Sequence, residues 1–156
     1  MMVSKVKGRF GDFDATIHID EEQPERSSVE ARIQVASVDT RDAQRDGHLR
    51  SPDFFDAESF PELLFVSRRV EPLPGDGKFR LVGDLTMHGV TREVVLEGEY
   101  EGPHKDMQGQ RRLGFELKGK IEREEFGLTY NMALEAGGFM LSKDIEVSID
   151  CEVLEQ

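Results

Sequence analysis

The chain has 156 residues, 37% apolar and 33% charged, which fits one globular domain (residues 1–156) with its own core. A formal net charge of −12 excludes the basic footprint that nucleic-acid phosphates require and disfavours docking on anionic lipid head groups. No apolar run approaches the roughly 20 residues of a membrane-spanning helix. The first ten residues carry no apolar stretch long enough for a signal peptide. The expected location of the chain as given is therefore the cytoplasm, with the periplasm or the exterior open if a leader precedes it.

Period-two alternation dominates the sequence and predicts strands with one buried face. Phe13, Ala15, Ile17 and Ile19 alternate with Asp14, Thr16, His18 and Asp20. Val29, Ala31, Ile33 and Val35 form the next row. The segment 39–50 breaks the pattern and reads as a helix, with Thr40 as its N-cap and Asp42 in its first turn. Ser51-Pro52-Asp53-Phe54-Phe55 follows as a short turn, and residues 63–70 as a further strand. Pro74-Gly75-Asp76-Gly77 reads as a hairpin, after which Phe79, Leu81, Gly83, Leu85 and Met87 form a row. His88-Gly89-Val90-Thr91 is a tight connection. Val94, Leu96, Gly98 and Tyr100 follow it, then Leu113, Phe115, Leu117, Gly119 and Ile121, and finally Ile145, Val147, Ile149, Cys151 and Val153. Strands at this spacing predict an all-β antiparallel meander, closed as a barrel or packed as a sandwich, with one or two short helices.

Three glycines, Gly83, Gly98 and Gly119, fall on the predicted inner face beside Phe13, Phe79, Tyr100 and Phe115. Glycine there marks either space for a ligand or sheet curvature over a filled core. Cys151, the only cysteine, sits in an apolar row and reads as a small buried hydrophobe, so neither a disulfide nor a Cys-rich metal site is expected. His18 and His104 read as solvated. No histidine pair has metal-ligand spacing. Glu122, Glu124 and Glu125 surround Arg123 at a turn and read as solvated acids. Nucleophile-elbow, Cys-His and Walker patterns are absent.

Several segments together resemble the YceI-like family of lipocalin-like, polyisoprenoid-binding proteins. They are Lys5-Val6-Lys7-Gly8-Arg9-Phe10 with Phe13, Ser27-Ser28-Val29-Glu30, and Ser37-Val38-Asp39-Thr40 with residues 45–56. Phe60-Pro61 and Leu64-Phe65-Val66-Ser67 follow, then Gly83-Asp84-Leu85-Thr86-Met87-His88-Gly89-Val90-Thr91, and last Arg123 with Phe126-Gly127-Leu128-Thr129. The resemblance implies a lipocalin-like antiparallel barrel of eight strands with a small helical segment, an elongated apolar cavity for a polyisoprenoid or similar lipid, and a homodimer. It implies no catalytic residues. It also implies a further first strand, and this chain begins where that strand would already have ended.

Strand parity and the resemblance together nominate Phe10, Phe13, Phe65, Leu85, Met87, Phe115, Leu117, Phe126 and Tyr130 as lining residues, with His88 as turn chemistry or a head-group contact. Arg45 and His48 suggest either an ion pair with Asp42 or Asp53 or a polar lid, and Phe54 and Phe55 a plug. The expected activity is binding or carrying a long-chain isoprenoid or quinone-like lipid, with no catalysis, no metal and no other cofactor. The alternatives are a structural or interaction barrel with a filled lumen, and a small hydrolase or isomerase using His88 or Glu122.

Overall fold

In the computed structural model, which describes residues 6–131 and 142–154, the alternating rows are strands. In chain order these are β1 (Arg9–Phe10), β2 (Phe13–His18), β3 (Ser28–Gln34), β4 (Val38–Asp39), helix α1 (Ala43–Arg50), β5 (Glu62–Pro72), β6 (Lys78–Met87), β7 (Val90–Lys105), β8 (Arg111–Glu122) and β9 (Asp144–Leu154). β1 and β4 pair with each other, Arg9 against Asp39 and Phe10 against Val38. The other seven strands form one curled antiparallel sheet in the order β2-β3-β5-β6-β7-β8-β9. The all-β class, the antiparallel meander and the single small helix match the sequence reading. Closure differs: among the described residues β2 and β9 each have one paired neighbour, so the wall is a half-barrel of seven strands and not a closed barrel of eight.

The register explains why the apolar rows act together. Residues directly opposite in an antiparallel pair point to the same side. Phe13 faces Ile33, Phe65 faces Leu85, Leu81 faces Leu96, Tyr100 faces Phe115, and Leu117 faces Ile149. Each apolar row therefore continues the next across the sheet. A one-residue bulge between Ser67 and Arg69 lets β5 follow the curl. The outer face is charged and cross-linked, with Arg32 reaching Glu62 at 3.3 Å, Arg68 reaching Asp84 and Glu93 at 3.6 Å, and Arg80 reaching Glu71 at 3.4 Å. Exposed pairs of this kind contribute little individually.

The inner glycines are covered by large neighbours. A Cβ on Gly83 would lie 2.5 Å from the Phe65 ring and 2.7 Å from the Val66 carbonyl oxygen. One on Gly98 would meet Phe79 at 2.6 Å and Leu117 at 2.5 Å, and one on Gly119 would meet Leu96. At these three positions glycine makes room for the protein's own side chains laid flat on the sheet. The β6–β7 turn places His88 and Gly89 at φ 55° and 74°, the paired positive values of a tight hairpin whose twist matches the strands.

Helix α1 starts later than Thr40. Its N-cap is Asp42, whose Oδ1 accepts from the backbone N–H groups of Gln44 and Arg45, both at 3.1 Å. Arg41, at φ 63°, turns the chain between the two candidate caps. Thr40 is instead buried and donates twice to the Asp46 carboxylate, from its N–H at 2.8 Å and its hydroxyl at 2.5 Å. Arg45 closes the network on the Thr40 hydroxyl (2.9 Å) and carbonyl oxygen (2.8 Å). The Thr40 hydroxyl, first among several groups, holds the Asp46 carboxyl below its ordinary range.

Two outcomes follow from this packing. Gly83→Ala is expected to lower stability by about 1–3 kcal/mol, because the rigid Val66 carbonyl cannot move aside; an unchanged urea midpoint refutes the close approach. A carboxylate with a depressed folded pKa adds stability above the unfolded value, about 3.9, and loses it as pH falls through the folded value. Asp46→Asn keeps an acceptor and removes that titration, so its urea midpoint is expected to fall less steeply than wild type below about pH 4. Parallel acid limbs contradict it.

Candidate functional site

The concave face has two unlike ends. At one end Val35, Leu85, Met87, Val94, Ile121 and Phe126 are buried together, with Phe10, Phe55 and Phe65 packed against them. The turn Arg123–Phe126 folds over this end and ends at Gly127, φ 78°. Phe126 is the plug, 1% exposed. Arg123 fixes the cover: it is buried, donates from Nε to the Ser142 carbonyl at 2.7 Å, and from Nη1 to the Leu128 and Tyr130 carbonyls at 2.7 and 2.9 Å. Charge-assisted bonds of this kind offset much of the cost of burying a guanidinium.

The opposite end is apolar but uncovered. Phe79, Tyr100 and Phe115 form an aromatic group, with ring centroids 6.4 Å (Phe79–Tyr100) and 6.2 Å (Phe79–Phe115) apart. Tyr100 is 40% exposed and Ile149 38%, although the register places both on the inner side. Leu117 and Cys151 continue the surface, half-buried. Burial pushes the Cys151 thiol up, so at neutral pH it is protonated and behaves as an apolar side chain. Phe13, on the edge strand β2, is 61% exposed.

Polar groups gather elsewhere. His48, Phe54 and Tyr130 meet edge to face, each ring pair 5.0–5.1 Å apart, and His48 Nε2 lies 2.9 Å from Asp53 Oδ2. His88 Nδ1 lies 3.1 Å from the Phe126 carbonyl oxygen, and its ring packs on Phe60 at 4.9 Å. A cleft of about 320 Å³ is lined by Asp42, Gln44, Arg45 and His48. A second, of about 290 Å³, lies against Glu101, Gly114 and Glu152, whose register puts them on the outer face. No cluster of three or more His, Cys, Asp or Glu suited to a metal occurs among the described residues.

The residues nominated from sequence thus divide. Phe10, Phe65, Leu85, Met87 and Phe126 fall at the closed end. Phe115 and Leu117 fall at the open end, while Phe13 stands on the free edge. Tyr130 joins the His48 group, and His88 braces the turn against the plug. Phe79, Tyr100 and Ile149 belong with Phe115 but were not nominated; their rows show them inward, and only the register brings them together. The tie made by Arg123 was also missed. Its signal was an arginine that follows the inward row at Ile121 but stands among three glutamates, too little to separate a buried cation from a solvated one.

Comparison with known proteins fits this architecture. A YceI-like domain model matches residues 1–153. A UPF0312 protein of Staphylococcus aureus is 37% identical over 153 residues, covering 97% of this chain and 86% of the relative. One from Photorhabdus laumondii is 41% identical over 143 residues, covering 92% and 71%. The crystal structure of the Campylobacter jejuni YCEI protein superposes with a TM-score of 0.85 at 33% identity, covering all of this chain and 88% of that one. Burkholderia cenocepacia BcnA shares the fold at 22% identity, with a TM-score of 0.83 over 97% of this chain and 90% of its own. With its curled wall, its plugged end and a family match along nearly its whole length, the chain belongs to the YceI-like family.

Proposed function

We propose that this protein binds a long-chain isoprenoid or similar lipid along the open half of its concave face, as a carrier that performs no chemistry on it. The carrying observation is the contrast along one apolar surface: Phe126 is 1% exposed at one end, and Tyr100 is 40% exposed at the other. A side chain that the strand register turns inward and that still meets solvent is surface held ready for an apolar partner. Burying a methylene contributes about 0.8 kcal/mol, so about ten buried methylenes supply roughly 8 kcal/mol, the micromolar range, without polar contacts. The acidic exterior keeps a loaded carrier soluble. The filled-lumen alternative describes the closed end, where the protein's own side chains occupy the space. The hydrolase reading draws no support from Glu122, Glu124 and Glu125, which point to solvent, or from His88, which is engaged with the Phe126 carbonyl.

Native mass spectrometry of freshly purified protein, with organic extraction, tests the reading. The expected result is a prenyl or long acyl species at near one per chain; delipidated protein with no affinity for any long prenyl compound overturns it. The surface is located by a matched pair. Ile149→Asp, on the open inner face, is expected to weaken binding of a fluorescent prenyl probe at least tenfold, about 1.4 kcal/mol. Val95→Asp, on the outer face and 42% exposed, is expected to leave it unchanged. Equal effects from the two place the lipid elsewhere.

A further inference from the structure

The concave face changes from packed to open abruptly, and one row of residues makes the change. It lies on the interior strands β6, β7 and β8, each paired on both sides. There Leu81 stands opposite Leu96. Leu81 is 2% exposed and Leu96 5%. The Leu96 side chain lies over Gly119, where any Cβ would strike it. Behind this row, Leu85, Val94 and Ile121 are buried with the Phe126 plug. One step toward the open end, Phe79 stands opposite Gly98, and Gly98 opposite Leu117. Phe79 and Leu117 are only half-buried. One step further, Tyr100 is exposed opposite Phe115.

We propose that the Leu81–Leu96 row is a stop that sets the length of the lipid tail. The protein then takes prenyl chains of about geranylgeranyl length in preference to longer polyprenyl chains. The proposal rests on the lipid reading above and narrows its substrate class. From Leu117 to the start of β8 at Arg111 the inner row runs six residues, about 20 Å of strand. An extended geranylgeranyl tail covers that span, with its head group at the open rim. A further isoprene unit gains no burial, because Leu81 and Leu96 already fill the space and a close-packed interior does not admit extra carbons without cost. The stop stands where it does because Gly119 has no Cβ, which lets Leu96 lie flat across β8. A tail entering from the open end meets this row before it reaches Phe126. Leu96 is therefore a residue that determines chain-length specificity.

Displacement of a bound fluorescent prenyl probe by geraniol, farnesol, geranylgeraniol and geranylfarnesol tests it. For the wild type, affinity is expected to rise at least tenfold from farnesol to geranylgeraniol, because the added carbons are buried. It is expected to change less than about threefold from there to geranylfarnesol. Leu96→Ala bares the floor at Gly119 and is expected to move the plateau out to geranylfarnesol. Leu117→Trp fills the first open row and is expected to move it back to farnesol. Leu85→Ala, the same truncation behind the stop, is expected to leave the plateau in place. Urea midpoints check that each variant folds, and either of the first two suffices for the test. Affinity that keeps rising through geranylfarnesol in the wild type overturns the stop and leaves lipid binding standing. So does a plateau that the folded variants at Leu96 and Leu117 do not move, or one that Leu85→Ala moves equally. No displacement by any prenol overturns both.

Discussion

Everything in this molecule depends on strand register. Side chains alternate sides with a period of two, so a slip of one residue in any of the six ladders would turn an apolar row to solvent and a charged row inward. The ladders instead carry Phe13 to Ile33, Phe65 to Leu85, Leu81 to Leu96 and Leu117 to Ile149 without a break in side. The inner glycines help to fix this alignment. Phe65 lies over Gly83, Phe79 and Leu117 over Gly98, and Leu96 over Gly119. Each fits only where a neighbouring strand presents no Cβ, so the pairs act as keys as well as packing.

The closed end is fixed by polar contacts around an apolar plug. Arg123 is buried beside Phe126 and grips three carbonyl oxygens, drawing together the backbone at Leu128, Tyr130 and Ser142. Thr40, Asp46 and Arg45 do similar work for the helix, which sits beside the short β1–β4 pair. Each group is stable only because nearly all of its donors and acceptors are matched, since an unmatched buried polar atom costs about 1–3 kcal/mol. Among the described residues Arg123 Nη2 is the exception, buried without a partner.

Much of this was legible in the sequence, and the limits have physical causes. Alternation is a property of single strands, so the inward rows, including Phe115 and Leu117, could be read directly. Which end of the face would be packed was not legible, because that depends on Phe126 arriving from a turn distant in sequence. Phe13 has the parity of a core residue but stands on β2, which among the described residues pairs with β3 alone, and parity carries no information about neighbours. Thr40 and Asp42 both have capping chemistry, and the choice between them turned on the left-handed Arg41 and on the prior claim of Asp46 on Thr40. The family resemblance carried the fold, and among the described residues its wall is a half-barrel of seven strands.

The division of the concave face separates stability from binding. A cavity running the full length would remove packing from both ends, and a core filled throughout would leave a lipid nothing to bury. Here the plug, the covered glycines and the arginine tie gather the buried apolar groups at one end, where Val35, Leu85 and Phe126 need no ligand. The other end keeps Tyr100, Ile149 and Phe13 partly in water, an unfavourable arrangement for an isolated chain. Exposed apolar surface at that end is an unsatisfied demand, and one met by hydrocarbon.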